Sequence, residues 1–349
     1  VRNYTIAVIP GDGIGKEVVE GALIPIRAVA SKHGARLIET TFDWSCETYL
    51  RSGRMMPEDG IETLRGFDAI LLGAVGWPKT VPDNISLHGL LLPIRKQFDL
   101  YANIRPHRLL PGISGPLVKS NFDILCIREN TEGEYSGAGG RVHVGTPQEV
   151  AVETAIFTRH SIERILRYGF EQARRRRGKL ASTTKSNAQK FTMVLWDEIT
   201  EELAAEYSDV EVTRYHIDAL SARMITHPES LDVIVASNLF GDILTDIGAA
   251  IQGGLGFAAS ANINPRGGVP SMFEPVHGSA PDIAGSGAAN PIATIWSGSM
   301  MLEHLGEREA ATELVAAVSR VTTDTSLLTP DCGGTAKTLA LGQRIADRI

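Results

Sequence analysis

Four short apolar runs set the strongest limit on what this chain can fold into: Thr5-Ile-Ala-Val-Ile9, Ala69-Ile-Leu-Leu72, Asp123-Ile-Leu-Cys-Ile127 and Asp232-Val-Ile-Val-Ala236. Each is nearly unbroken, unlike a strand with one wet face, so both faces of each must be covered. Amphipathic segments separate them. Ile162, Ile165, Leu166 and Phe170 share one face of a helix that runs to Ala173, and Glu201–Tyr207 continues a similar pattern after Trp196. Strand and helix in alternation predict an α/β protein with a mostly parallel sheet. One stretch differs: Val150, Val152, Thr154 and Ile156 alternate with polar or small residues, which predicts an antiparallel or edge strand.

The 349 residues, 43% hydrophobic and 21% charged, suffice for two domains. Turn-rich punctuation at Arg105-Pro106, Leu109–Gly112 and Gly253–Gly256 marks places for the chain to cross between them. A net charge of -7 gives no global attraction to nucleic acid or an anionic membrane, so an anionic substrate needs a local cationic pocket. Cys46, Cys126 and Cys332 are far apart and lack metal or disulfide spacing, as in a reduced cytosolic protein. No secretion signal is legible and no apolar run approaches the ~20 residues of a membrane span, so a cytoplasmic location is expected. The run Arg174–Arg177 closes an amphipathic helix before Gly178, and it predicts a solvated helix end in preference to a nucleic-acid patch.

Asp242 and Asp246 follow the run ending at Ala236 and stand one helical turn apart. Like charges at that spacing repel unless a cation lies between them, and Mg²⁺ or Mn²⁺ favours carboxylate oxygens. An aspartate early in a helix also complements the dipole, which is the plain alternative for Asp242. Arg95, Arg105 and Arg128 each sit beside apolar or constrained neighbours, and converging guanidiniums would hold a dicarboxylic acid. Surface or interdomain salt bridges are the alternative. Tyr135 and Lys185 lie in loops of small polar residues that can present an acid and a base, or equally a packed tyrosine and a solvated lysine. The loop Ile9-Pro-Gly-Asp-Gly-Ile-Gly15 has neither the dinucleotide spacing nor the Walker spacing, so its glycines are either conformational or near a ligand.

Five segments, in order, carry a resemblance: Ile9–Gly15, Arg128-Glu-Asn-Thr-Glu-Gly-Glu-Tyr135, Thr184-Lys-Ser-Asn187, Ser237-Asn-Leu-Phe-Gly-Asp242 and Glu274-Pro-Val-His-Gly-Ser-Ala-Pro-Asp-Ile-Ala-Gly285. Together they resemble the β-decarboxylating dehydrogenases of (2R)-hydroxy acids, the isocitrate/isopropylmalate dehydrogenase superfamily, over nearly the whole chain. The resemblance implies that family's two-domain α/β fold, a large mixed sheet flanked by helices and not a Rossmann fold. The larger cofactor-binding domain would comprise 1–103 and 255–349, and the smaller, 104–254, would carry metal-site and dimer-interface residues.

It further implies that Arg95, Arg105 and Arg128 bind substrate, that Asp218, Asp242 and Asp246 bind Mg²⁺ or Mn²⁺, that Tyr135 is the general acid, and that Lys185 helps remove the hydroxyl proton. Lys185 and Asp218 would come from the partner subunit, giving a homodimer with shared active sites. His277, Gly278, Ser279, Ala280 and Asp282 resemble an adenosine-binding loop with Asn290 beside the adenine, and a carboxylate at Asp282 implies NAD in preference to NADP. A monovalent cation such as K⁺ is a further candidate cofactor. Gly89 and Leu91, in the loop before Arg95, disfavour isocitrate. Phe42–Cys46, Asp83–Leu87 and the Arg128–Tyr135 segment point to the tartrate and D-malate branch, with His88 as a departure. The alternatives are a 3-isopropylmalate dehydrogenase and a catalytically silent binding or regulatory member.

Overall fold

A computed structural model describes residues 1–117 and 121–349. Its strands are β1 (Arg2–Gly11), β2 (Ala35–Thr41), β3 (Ala69–Ala74), β4 (Ala102–Arg108), β5 (Asp123–Glu129), β6 (Gly133–Val142), β7 (Val150–Ile156), β8 (Lys179–Thr184), β9 (Glu211–His216), β10 (Val233–Ala236), β11 (Ala259–Ile263) and β12 (Ser271–Pro275). The chain forms two compact units. One contains Val1–Leu100, Ala249–Ile349 and a return segment beginning at Arg108; the other contains Tyr101–His107 and Asn121–Gly248.

In the first unit the strand order is β2-β1-β3-β12-β11. β1 lies parallel to β2 and β3, β12 lies parallel to β3, and β11 runs antiparallel to β12, so the sheet is mixed. Ile6–Ile9 and Ala69–Leu72 are at most 1% exposed, as two-sided coverage demands. The helices Gly15–Lys32, Ile292–His304, Arg308–Thr322 and Thr338–Ala346 pack together beside this sheet.

In the second unit the order is β4-β5-β10-β8-β9, with β5, β10, β8 and β9 mutually parallel. The helix Arg159–Arg175 buries Ile162, Ile165, Leu166 and Phe170 against β5, β8 and β10, and its Thr158 cap accepts from the Ser161 amide. Gly169 is a glycine because a Cβ there would lie 2.3 Å from Val235. β6 and β7 form a separate antiparallel ribbon.

Two expectations need revision. The arginine run does close the helix with Arg174, Arg175 and Arg177 exposed, but it is not only a solvated end: Arg174 pairs with Asp209, and Arg176 and Arg177 both bond Asp232, whose side chain is fully buried. A buried carboxylate requires a counter-charge, and the run supplies it. The segment before Arg95 is also not a loop. Asp83–Ser86, a π-turn over Leu87–Leu91, and Leu92–Gln97 follow one another as helix. Leu90 and Ile94, one turn apart, are both fully buried, and the wide turn accommodates Pro93, which has no N–H to give. Gly89 lies against Met55, 2.6 Å from where its Cβ would be, and His88 is exposed.

Candidate functional site

β5 and β10 are parallel neighbours with Arg128 opposite Ala236, and the chain leaves β10 directly into the helix Asn238–Ile251. The carboxyl ends of parallel strands, where the covering helices begin, are where open α/β sheets present their ligand-binding groups. Arg128 and Arg105 are 3% and 4% exposed, so their charges need partners on the spot. Arg128 donates from Nε and Nη2 to Asn238 Oδ1 at 3.0 and 2.7 Å, and from Nη1 to Asp242 Oδ1. Arg105 donates from Nε to Asn103 Oδ1 at 2.8 Å and from Nη1 to Thr245 Oγ1 at 2.6 Å, while its Nη2 lies 3.5 Å from Asp242 Oδ1.

Asp242 thus stands between both arginines. Its second oxygen accepts from the Tyr135 hydroxyl at 3.1 Å, and the Arg128 guanidinium lies 5.4 Å from the Tyr135 ring centroid. Asp246, one turn on, has its carboxyl pushed above the usual range, first by partial desolvation and then by the like charge of Asp242, with Arg105 and Arg128 opposing. Two hard oxygen donors, one destabilised by the other, fit a divalent cation such as Mg²⁺ or Mn²⁺.

Lys185 and Asp218 form a separate pair. Lys185 follows β8 and Asp218 opens the helix after β9, so parallel pairing of these strands at Thr184 and His216 brings them together. Lys185 Nζ donates to Asp218 Oδ1 at 2.8 Å, and that bond holds the Asp218 carboxyl below its ordinary range. Among the described residues, no three His, Cys, Asp or Glu side chains come together as a metal-binding group within the single chain. Asp218 is therefore not assembled with Asp242 and Asp246 in one subunit.

The remaining sequence-selected residues lie in the first unit. Arg95 is 7% exposed and donates to Glu274 Oε1 at 2.7 Å; the same oxygen accepts from Asn262 Nδ2 at 2.8 Å. Glu274 is the next-to-last residue of β12, three residues before His277. Burial pushes the His277 imidazole below its usual range, its Nδ1 faces Gly278 O at 3.0 Å, and its buried Nε2 has no hydrogen-bond partner among the described residues. Ala280 takes a left-handed backbone, with φ +37°. Asp282 is exposed, and Asn290 is buried with its amide donating to Asp331 at 3.0 Å and its oxygen accepting from the Ile292 amide.

The glycine loop near the start now has a purpose. Ile14 N donates to Ser279 O at 2.8 Å, and a Cβ on Gly13 would lie 2.0 Å from that same oxygen. Asp12 holds the loop from the other side, accepting from the Cys46 and Gly76 amides at 2.8 and 2.9 Å. The loop is a seat for Ser279 and its neighbours. With an exposed acid and an orphaned imidazole nitrogen, the seated segment fits the adenosine end of a dinucleotide.

Reading the sequence alone missed Asn238, Thr245, Asp12 and Glu274. The first two were detectable: Asn238, Asp242 and Thr245 follow i, i+4, i+7 spacing and so share a helix face.

Comparison with known proteins bears directly on this arrangement. The profile of one family, described as isocitrate/isopropylmalate dehydrogenase, matches residues 5–348. A probable tartrate dehydrogenase/decarboxylase of Bacillus subtilis (strain 168) is 52% identical, covering 100% of this chain and 99% of that protein. A decarboxylating D-malate dehydrogenase of Escherichia coli (strain K12) is 49% identical, covering 100% and 98%. Among solved structures, isocitrate dehydrogenase from Methylococcus capsulatus superposes with a TM-score of 0.91 at 36% identity, covering 99% of each chain.

Proposed function

The chain belongs to the isocitrate/isopropylmalate dehydrogenase family, and from that premise we propose that it oxidises a hydroxy dicarboxylic acid of the D-malate or tartrate type at C2 with NAD⁺, and decarboxylates the oxidation product of D-malate to pyruvate and CO₂. One observation carries the reading: two buried arginines and a tyrosine hydroxyl meet at Asp242, one turn from Asp246. Substrate carboxylates, a proton donor and a divalent cation all have their counterparts there.

Arg105 and Arg128 orient the carboxylates of the acid, because a fixed guanidinium fork matches the planar geometry of a carboxylate group. When bound, the divalent ion at Asp242 and Asp246 supplies Lewis-acid stabilisation of negative charge, and NAD⁺ supplies the hydride acceptor. Lys185 takes the hydroxyl proton as hydride leaves C2. Loss of CO₂ from the β-keto acid leaves electron density on C3, and the Tyr135 hydroxyl returns a proton to that carbon. The decisive experiment measures NADH formation with D-malate, L-tartrate, meso-tartrate, 3-isopropylmalate and isocitrate, with and without Mn²⁺. D-malate or tartrate is expected to be turned over fastest; turnover of none of them, or turnover indifferent to chelation, refutes the reading.

Asp282 decides between the two nicotinamide coenzymes. Its carboxylate accepts hydrogen bonds from ribose hydroxyls and repels a 2′-phosphate. Asp282→Ala is expected to weaken NAD⁺ use by about 10- to 100-fold, the worth of a hydrogen bond to a charged group, while NADP⁺ use improves. The ratio of kcat/KM for the two coenzymes reads this out.

The functional unit in this reading is a homodimer. The β6–β7 ribbon and its turn expose Val142, Val144, Val150, Val152 and Ile156, an apolar surface suited to a second copy. The partner's Lys185–Asp218 pair then completes the site that Asp242 and Asp246 begin. Inactive Asp218→Asn and Asp242→Asn chains, mixed 1:1 through a denaturation and refolding cycle, are expected to regain about a quarter of the wild-type activity, because half the dimers are mixed and each restores one of two sites. No recovery after demonstrated subunit exchange refutes shared sites.

A further inference from the structure

The helix Asn238–Ile251 does more than carry the two aspartates. Asn238 and Thr245 are seven residues apart, two turns or about 10 Å along one face. Each meets a different arginine. Asn238 takes Arg128 from β5 and Thr245 takes Arg105 from β4, with Asp242 midway and within reach of both. Both partners are buried, 3% and 0% exposed. Gly241, on the same face, has no side chain because a Cβ there would lie 2.7 Å from Arg128 Cβ and Cγ, so the arginine stem rests directly on the helix.

The donors and acceptors fix each contact. The Thr245 hydroxyl hydrogen is directed at its own helix, with Gly241 O at 2.8 Å and Asp242 O at 3.0 Å, so only a lone pair faces Arg105. Asn238 has its amide NH₂ bonded to Glu132 O at 3.0 Å, which turns its oxygen toward Arg128 and ties the helix to the segment that leads to Tyr135. An arginine held at Nε and one Nη can neither rotate about its last bond nor slide along the helix.

We propose that Asn238 and Thr245 are positioning residues for the hydroxy acid, a two-turn ruler that sets the separation and tilt of the Arg128 and Arg105 guanidiniums. This rests on the assignment of Arg105 and Arg128 to the substrate. The two side chains touch neither cofactor nor reacting carbon; they act through the arginines, and their effect is on binding of the acid.

The test is steady-state kinetics of the Mn²⁺-loaded enzyme with D-malate, for Thr245→Val, Thr245→Ser, Arg105→Lys and the double variant Arg105→Lys/Thr245→Val. Thr245→Val keeps the shape and removes the acceptor, and the KM for D-malate is expected to rise about 10- to 100-fold with the KM for NAD⁺ unchanged. Thr245→Ser, which keeps the hydroxyl, restores the wild-type value. In the Arg105→Lys background the valine adds less than about threefold, because its target is already gone. Asn238→Leu, added to the series, removes the acceptor that holds Arg128 and is expected to raise the KM for D-malate by a similar factor with the KM for NAD⁺ unchanged. If Arg105→Lys raises KM and Thr245→Val does not, the ruler is overturned while the substrate assignment stands. If Arg105→Lys itself leaves KM unchanged, the substrate assignment falls and takes the ruler with it. Full additivity, or an equal rise in the KM for NAD⁺, marks a merely structural threonine and also overturns it.

Discussion

Asp246→Asn is expected to lower kcat/KM by about 10³-fold or more, since a metal contributes several kcal/mol of charge stabilisation and each 1.4 kcal/mol is about tenfold in rate. The substitution is nearly isosteric, so it removes charge and little else. Its effect on stability should have the opposite sign to its effect on activity. Asp246 is pushed above the ordinary carboxylate range in the folded chain, so folding disfavours its ionised form. That cost is present above the raised value, disappears as pH falls through it, and is removed outright by asparagine. In chelator at neutral pH the variant should therefore melt no lower than wild type. Mn²⁺ should raise the melting temperature of the wild type and not of the variant, because ligand that binds only the folded state stabilises by mass action. A variant that keeps its turnover, or its Mn²⁺-dependent melting shift, removes Asp246 from the metal site.

Legibility of this molecule in its sequence followed the range of the physics involved. The buried strands were readable because two-sided burial forces unbroken apolar runs, and β3, β5 and β10 formed over those residues. The carboxylate pair was readable because helical periodicity is local: four residues apart means one face. The function of Arg174–Arg177 was not, because the buried acid it neutralises, Asp232, is 55 to 58 residues away in sequence and nothing local announces it. The π-turn before Arg95 escaped for a related reason: the family resemblance supplied a loop there, and only close packing of Gly89 on Met55 makes a helix intelligible. The glycine loop is the clearest case. Its spacing fits no phosphate motif, and its partner, Ser279, lies more than 260 residues on. The roles of Asp218 and of the adenosine segment entered only through family resemblance, since the geometry that gives them meaning is nonlocal.

Tyr135→Phe is expected to separate the two halves of the reaction. The ring keeps its place in β6 and the Arg128 guanidinium keeps its aromatic face, so only the hydroxyl bonded to Asp242 is lost. In the proposed mechanism oxidation at C2 draws on Lys185, the arginines and the acidic pair, all of which the substitution leaves in place, with Asp242 losing one hydrogen-bond donor. Protonation of C3 after CO₂ leaves has lost its donor, and general acid catalysis of such a step contributes about 10²–10⁴-fold. Mixing the enzyme with D-malate, Mn²⁺ and NAD⁺ should give a rapid burst of NADH near one equivalent per site, followed by pyruvate release slowed by that factor. With tartrate under conditions where only oxidation occurs, the same variant should lose far less. If burst and steady state slow together, Tyr135 acts before C3 protonation, through Asp242 and the acidic pair it touches. If neither changes, the hydroxyl is a packing contact and the proton reaches carbon by another route.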